Sequence, residues 1–257
     1  MAIQVRSQSG KVALVTGSSR GIGAGIAIRL ARQGAHVIIN YRAQKDAAER
    51  VVEQLCAEEL AAEARQADVA DPIQVAELFR AIQVDHGRLD ILVNNAGINR
   101  DGPFLSMELE QWDAVFATNL RGAFVCAQQA ARLMLQNDGG VIINIGASTG
   151  VNGRANGVNY CAAKAGLMVM TRCLALELAP RIRVNTVVPG LVPTDDTNER
   201  HALLDPATAE RKAREIPLQR LGTCDDIAAA VSFLCSEEAS WITGQSLPVT
   251  GGKYMNA

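Results

Sequence analysis

The sequence predicts an α/β protein: one domain over residues 1–257, built on a doubly wound sheet of about seven parallel strands with helices on both faces. Two observations carry this. Short apolar runs alternate with helical patterns along the whole chain, with no internal repeat or low-complexity tract between them. Hydrophobic residues make up 48% of the chain but aromatics only 4%, so the core is aliphatic, and with 22 glycines such a core suits stacked layers of helix and strand.

Each element has a local reason. The run Lys11-Val12-Ala13-Leu14-Val15-Thr16, flanked by Gly10 and Gly17, reads as a buried strand, and a helical pattern follows over 22–32. A strand over 36–40, a charged amphipathic helix over 44–62 and a short strand near Ala64 come next. Asp71-Pro72 opens a helix, because proline in the first turn gives up only an N–H that has no partner there. A strand over 89–93, a helical stretch over 105–136 and a strand over 141–145 follow. The remaining elements are a long helix over 159–178, a strand over 182–188, a helix over 225–235 and a last strand over 246–249. Residues 190–217, rich in charge and proline, read as an irregular loop, of a length that usually serves as a lid.

Charge excludes several classes of function. With 25 Lys+Arg against 27 Asp+Glu the formal net charge is −2, and no basic run is present to neutralise nucleic-acid phosphates. The longest uncharged stretch, 139–153, is broken by Gly, Asn and Ser and falls short of the roughly 20 apolar residues that a membrane span needs. The polar start Met1-Ala2-Ile3-Gln4-Val5-Arg6 does not read as a signal peptide, so the expected address is the cytoplasm. The six cysteines form no C-x-x-C pair, and the only histidines are His36, His86 and His201, so neither a disulfide scaffold nor a metal site is expected.

The chemistry sits at strand ends. Directly after the first strand stands Thr16-Gly17-Ser18-Ser19-Arg20-Gly21-Ile22-Gly23, leading into a helix. Glycines there let a pyrophosphate approach backbone N–H groups, and the helix N-terminus adds partial positive charge. Cofactor choice is read at the end of the second strand, where an acidic side chain would bind a ribose 2′-hydroxyl. The sequence there is Asn40-Tyr41-Arg42, without a carboxylate, and Arg20 and Arg42 can flank a 2′-phosphate. NADP(H) is therefore the expected cofactor. Asn94-Asn95-Ala96-Gly97 follows the fourth strand, a turn whose small residues would let an adenine-ribose lie against backbone. Tyr160 and Lys164, four residues apart at the start of a helix, share one face. A phenol of pKa about 10 needs a nearby cation to work as an acid/base near neutrality, and Lys164 is placed to supply it.

In this order these motifs resemble the short-chain dehydrogenase/reductase family, over nearly the whole chain from Lys11 to Gly252. The resemblance implies a Rossmann-type fold, with Tyr160 as catalytic acid/base and Lys164 on the nicotinamide ribose. It also implies Asn119 holding a water of the proton relay, Pro189, Gly190, Val192 and Thr194 at the nicotinamide end, and Asp68 and Val69 at the adenine. One member departs. The family has a serine 13 residues before the tyrosine, and that position is Ala147 here, with the hydroxyl one residue late at Ser148. Successive residues of an extended segment point to opposite sides, so the expectation is that a local rearrangement brings Ser148 or Thr149 into the site. Loss of such a donor outright would cost on the order of 10²–10³ in rate.

Residues 97–102, 119–124 and 217–222 look like bacterial 3-oxoacyl-acyl-carrier-protein reductases, which implies NADPH-dependent reduction of a β-keto thioester of fatty-acid or polyketide type. An acidic carrier protein calls for basic residues at the mouth of the site. Arg181 matches one such position, whereas Gln136-Asn137-Asp138 at the other is not basic. Asn40-Tyr41-Arg42 also looks like bacterial glucose dehydrogenases, which keeps a sugar or other small alcohol as an alternative substrate. A further alternative, motivated by Ala147, is an NADP-binding scaffold subunit with little turnover. Leu167, Met168, Val169, Met170, Leu174 and Leu176 surround most of the 159–178 helix, so it should be covered on several sides. With the family resemblance this implies a homotetramer.

Overall fold

The structure, a computed structural model, describes residues 7–254; the N-terminal segment Met1 to Arg6, read above for a signal peptide, lies outside them. Its elements run β1 (Val12–Val15), α1 (Gly21–Arg32), β2 (His36–Tyr41), α2 (Lys45–Ala57), β3 (Ala62–Gln66), α3 (Pro72–His86), β4 (Ile91–Asn94), α4 (Leu109–Phe116), α5 (Ala123–Leu135) and β5 (Gly140–Ile145). They continue with α6 (Thr149–Asn152), α7 (Val158–Leu178), β6 (Ile182–Pro189), α8 (Asp195–His201), α9 (Pro206–Arg214), α10 (Cys224–Cys235) and β7 (Ser246–Val249). The seven strands form one sheet in the order β3-β2-β1-β4-β5-β6-β7, every neighbouring pair parallel. Strand order reverses between β1 and β4, and a crevice opens beyond the carboxyl ends of strands at such a point.

Alternation along the strands builds the two faces. Ala13 and Val15 of β1 pack with Ile26, Leu30, Ile227 and Val231 on the side of α1 and α10. Val12 and Leu14 pack with Leu78, Phe79, Ile82 and Ala130 on the side of α3 and α5. All four residues of β1 are buried, as a strand covered on both sides requires. Truncating Leu14 to alanine would cost about 2–5 kcal/mol. Among the described residues, no helix is long and apolar enough to cross a membrane.

Four boundaries differ from the sequence expectation, each for a local reason. The helix expected over 44–62 stops at Ala57, because Glu59 turns to φ 58° and the chain reverses into β3. The strand expected from Leu89 begins at Ile91, since the Asp90 side chain, held by Arg88, accepts the Val12 N–H. The stretch 105–136 is α4, a π-helical turn over Ala117–Gly122, and α5. Residues 190–217 are not irregular. They hold α8, capped by Thr194, and α9, capped by Asp205. Asp205-Pro206 carries the same start signal as Asp71-Pro72, but α9 has no buried residue and so no apolar periodicity to show it.

Candidate active site

A cleft of about 910 Å³ lies at the carboxyl ends of the strands and collects residues from nearly every loop there. Its cofactor half is built from backbone. Gly17 has φ +60°, and a Cβ there would stand 2.9 Å from Ala96 Cα; at Gly23 it would stand 2.5 Å from Asn95 Nδ2 and 2.6 Å from the Gly17 carbonyl. Thr16 Oγ1 accepts from the N–H groups of Asn95 and Ala96, both at 3.0 Å, and Asn95 Nδ2 donates to the carbonyls of Thr16 and Gly17 at 2.9 Å. Asn40 Oδ1 accepts the Gly17 N–H at 3.2 Å while its Nδ2 donates to the Arg65 and Ala67 carbonyls. Asn40 and Asn95 line the cleft as expected, but their side chains are committed to holding the glycine loop in shape.

Around this loop, Ser19, Arg20, Gly21, Ile22, Tyr41, Arg42, Asp68, Val69, Ala96 and Gly97 all reach the cleft wall. Arg42 Nη1 lies 3.9 Å from the Asp68 carboxylate, and Arg20 Nη1 pairs at 2.9 Å with Asp195 of α8, across the opening. Both guanidiniums remain more than half exposed, at 60% for Arg20 and 58% for Arg42. At the other end, a Cβ at Gly190 would lie 2.8 Å from Thr250 Cα, and the Thr194 methyl would touch a Cβ at Gly21 at 3.3 Å. Pro189, Gly190, Val192 and Thr194 line the cleft together.

Beyond the glycine loop lies the Tyr160 segment. Asn159, fully buried, donates to the Arg100 carbonyl at 2.8 Å and accepts the Tyr160 N–H at 2.7 Å, which fixes the start of α7. One turn on, Lys164 is buried with Nζ donating to the Ile145 carbonyl at 2.6 Å, 5.8 Å from the Tyr160 ring centroid. Burial pulls the ammonium down to about 8. Burial pushes the Tyr160 phenol up, and the cations that oppose this are Arg200 and Arg154, with the Cys161 and Asp101 groups acting the other way. The phenol thus stands above its ordinary value rather than below it as the Lys164 spacing predicts, and the cations that oppose burial are arginines.

Asn119 sits in the π turn, its Oδ1 accepting the Ile98 N–H at 2.8 Å and its Nδ2 donating to the Ile98 carbonyl at 3.0 Å. The amide is spent on the loop after β4, and Thr118 rather than Asn119 lines the cleft. Insertions of this kind into a helix recur at functional sites. Ala147, Ser148 and Thr149 line the wall, with Ser148 the buried residue that leads into α6.

Sequence reading missed Arg154 and Arg200. Arg154 pairs with Asp101 and donates to Asn99 Oδ1 at 3.0 Å, with Cζ 5.4 Å from the Tyr160 ring centroid. Arg200 pairs with Asp196 and lines the same space. Both lie in short turns or helices without apolar periodicity, so nothing local marks them. The fold also gathers His36, Glu63 and His86, whose donor atoms all lie within 4.8 Å of one another, although no sequence spacing suggested a cluster. Glu63 is bound there by Arg65 at 2.8 Å, which already neutralises it.

A family model described as Enoyl-(Acyl carrier protein) reductase matches residues 17–253. The chain belongs to the short-chain dehydrogenase/reductase family. It is 45% identical over 246 residues to the 3-oxoacyl-[acyl-carrier-protein] reductase FabG of Staphylococcus aureus strain Mu50, covering 95% of this chain and 98% of that one. Against the enzyme of the same name from Salmonella typhimurium the identity is 42% over 250 residues, or 97% and 99% of the two chains. A crystal structure of gluconate 5-dehydrogenase from Burkholderia cenocepacia, in complex with NADP and tartrate, superimposes with a TM-score of 0.89 at 34% identity, covering 98% of each chain. In this short-chain oxidoreductase Tyr160 lines the cleft and Lys164 is buried one helical turn on.

Proposed function

We propose that the protein is an NADP(H)-dependent reductase of 3-oxoacyl thioesters. The observation that carries this is Tyr160, which lines the same cleft as a glycine loop too tight for any Cβ, with Lys164 buried one helical turn behind it. The nicotinamide cofactor supplies hydride when bound. Gly17, Gly21 and Gly23 would cradle its pyrophosphate, and Arg20 and Arg42 would hold the 2′-phosphate. Asp68, Val69, Asn95, Ala96 and Gly97 would flank the adenosine, and Pro189, Gly190, Val192 and Thr194 the nicotinamide.

Tyr160 gives its phenolic proton to the oxygen of the reduced carbonyl. The elevated phenol keeps that proton at neutral pH, which suits the reductive direction. Lys164 stands behind it, bridging to the Ile145 carbonyl, and the backbone carbonyl of Asn119 in the π turn, rather than its amide, is the group assigned to the relay water. Ser148 lines the cleft wall as a buried hydroxyl. A scaffold role gains nothing from burying an ammonium at some cost in stability, so turnover is the better reading of Lys164.

The substrate assignment draws on the relatives' names. Arg181 at the expected carrier-protein position donates to the Asn137 carbonyl, beside the acidic Asp138, so a carrier protein would meet only a weakly basic rim. A sugar-acid dehydrogenase is the second reading, favoured by the likeness to gluconate 5-dehydrogenase. A cytoplasmic address goes with either. A homotetramer is proposed from apolar side chains left at the surface, with Leu176 of α7 84% exposed, Val169 51% and Phe124 of α5 44%.

NADPH consumption with acetoacetyl-CoA, with gluconate and NADP in the reverse direction, and with Tyr160→Phe as control tests the function. Thioester turnover lost at least 10²-fold in Tyr160→Phe is the expected result; oxidation of gluconate without thioester reduction would hand the case to the second reading. A monomeric mass in light scattering would remove the tetramer.

A further inference from the structure

The family's serine hydroxyl is absent at Ala147, yet an alkoxide forming beside Tyr160 needs a second donor. The wall next to the phenol contains one that is rigidly built. Arg154 folds back over Gly157, where a Cβ would stand 2.8 Å from its Cζ and 2.9 Å from its Nε. Its Nη1 and Nη2 grip the Asp101 carboxylate, Nη2 also reaching Asn99 Oδ1 at 3.0 Å. That spends three of the five guanidinium N–H bonds. Among the described residues, Nε has no acceptor, and the group lines the cleft 5.4 Å from the Tyr160 ring centroid. A cation anchored by a carboxylate, with N–H bonds left unspent in a group that lines the cleft, is preorganised for negative charge that develops there.

We propose that Arg154 is the catalytic donor to the reacting carbonyl oxygen, taking the part that Ala147 cannot play. This rests on the reductase reading above. Hydride from NADPH enters the carbonyl carbon, the C=O π pair moves to oxygen, and the Tyr160 O–H bond breaks to protonate that oxygen. NADPH is oxidised to NADP+, the ketone is reduced, and the phenolate regains a proton from water through the relay. Arg154 stays protonated throughout and stabilises oxygen charge before the proton arrives. The other charged and titratable groups facing the phenol are Arg200 from α8, Lys164 and Cys161 from α7, and Asp101 from the loop after β4.

The test is a set of variants assayed with NADPH and acetoacetyl-CoA: Arg154→Gln, Arg154→Lys, Ser148→Ala, Ala147→Ser, and Arg154→Gln combined with Ala147→Ser. The expected results are a kcat loss of about 10²–10³ in Arg154→Gln with KM changed far less, a smaller loss in Arg154→Lys, and no more than a few-fold loss in Ser148→Ala. Serine at 147 should restore at least tenfold in the double variant. A kcat loss without rescue, or no loss at all, overturns the proposal and leaves Arg154 as a clamp for the Asp101 loop. If even the unaltered protein leaves the thioester untouched, the substrate reading has failed, and the Arg154 assignment is read without substrate. Only three tyrosines absorb, so phenolate absorbance of the protein minus that of Tyr160→Phe isolates the phenol. Its pKa should rise in Arg154→Gln; an unchanged value refutes the assignment.

Discussion

The two halves of the cleft are held by different means. On the cofactor side, Gly17, Gly23 and the amides of Asn40 and Asn95 lock backbone to backbone, with contacts too close for any Cβ. On the substrate side, charged side chains meet in pairs: Arg154 with Asp101 from loops far apart in sequence, and Arg200 with Asp196 one turn apart on α8, while Arg20 of the glycine loop reaches Asp195 across the opening. Backbone contacts fix a ligand common to many reactions, whereas side-chain pairs can be exchanged without disturbing the strands beneath. That is the economy by which one fold serves many substrates.

The largest effect should come from crowding the backbone half. Gly23→Ala places a Cβ against Asn95 Nδ2 and the Gly17 carbonyl, so NADPH affinity by calorimetry should fall at least 10²-fold; binding within threefold of the unaltered protein would break the contrast. Next comes the phosphate end. Removing a charge-assisted contact worth roughly 1.5–3 kcal/mol corresponds to about 10–100-fold, so the double change Arg20→Ala with Arg42→Ala should erode the kcat/KM preference for NADPH over NADH by that factor. An unaltered ratio would show the two arginines to be surface charges only.

Proton chemistry sharpens the comparison further. Lys164 is held down at about 8 by burial, below its ordinary 10.5. It is charged below about pH 8 and loses its proton above, so kcat for reduction should be level from pH 6 to 7.5 and decline through 8. A profile flat to pH 10 would mean that the lysine charge does not matter to the step. The smallest effect is assigned to the exposed bridge across the opening. Exposed ion pairs contribute about 0–1 kcal/mol, so Asp195→Asn should shift the NADPH KM by no more than about fivefold, and a larger change would make α8 part of the cofactor site.

Much of this site was legible locally. Gly17, Gly21, Gly23, Tyr160 and Lys164 stand at spacings tied to the end of a strand or one face of a helix, and the structure brings the first four to one cleft with Lys164 buried behind the tyrosine. The α8 and α9 helices escaped because they are short and polar, with caps but no apolar stripe. The fate of Asn119 was equally hidden: its residue type is visible, but the π turn that spends its amide on Ile98 is a tertiary event.

The sequence by itself determined the doubly wound sheet, because period-two and period-3.6 hydrophobicity record which faces must leave water. It also determined the glycine loop, because a residue without a Cβ is what so close an approach of backbone to backbone requires. Tertiary structure alone decided which charges surround Tyr160. Arg154 lies six residues before that tyrosine, but Asp101, Asn99 and Arg200 arrive from other strands' loops. Electrostatic partnership depends on distance in space, and no periodicity along the chain records it.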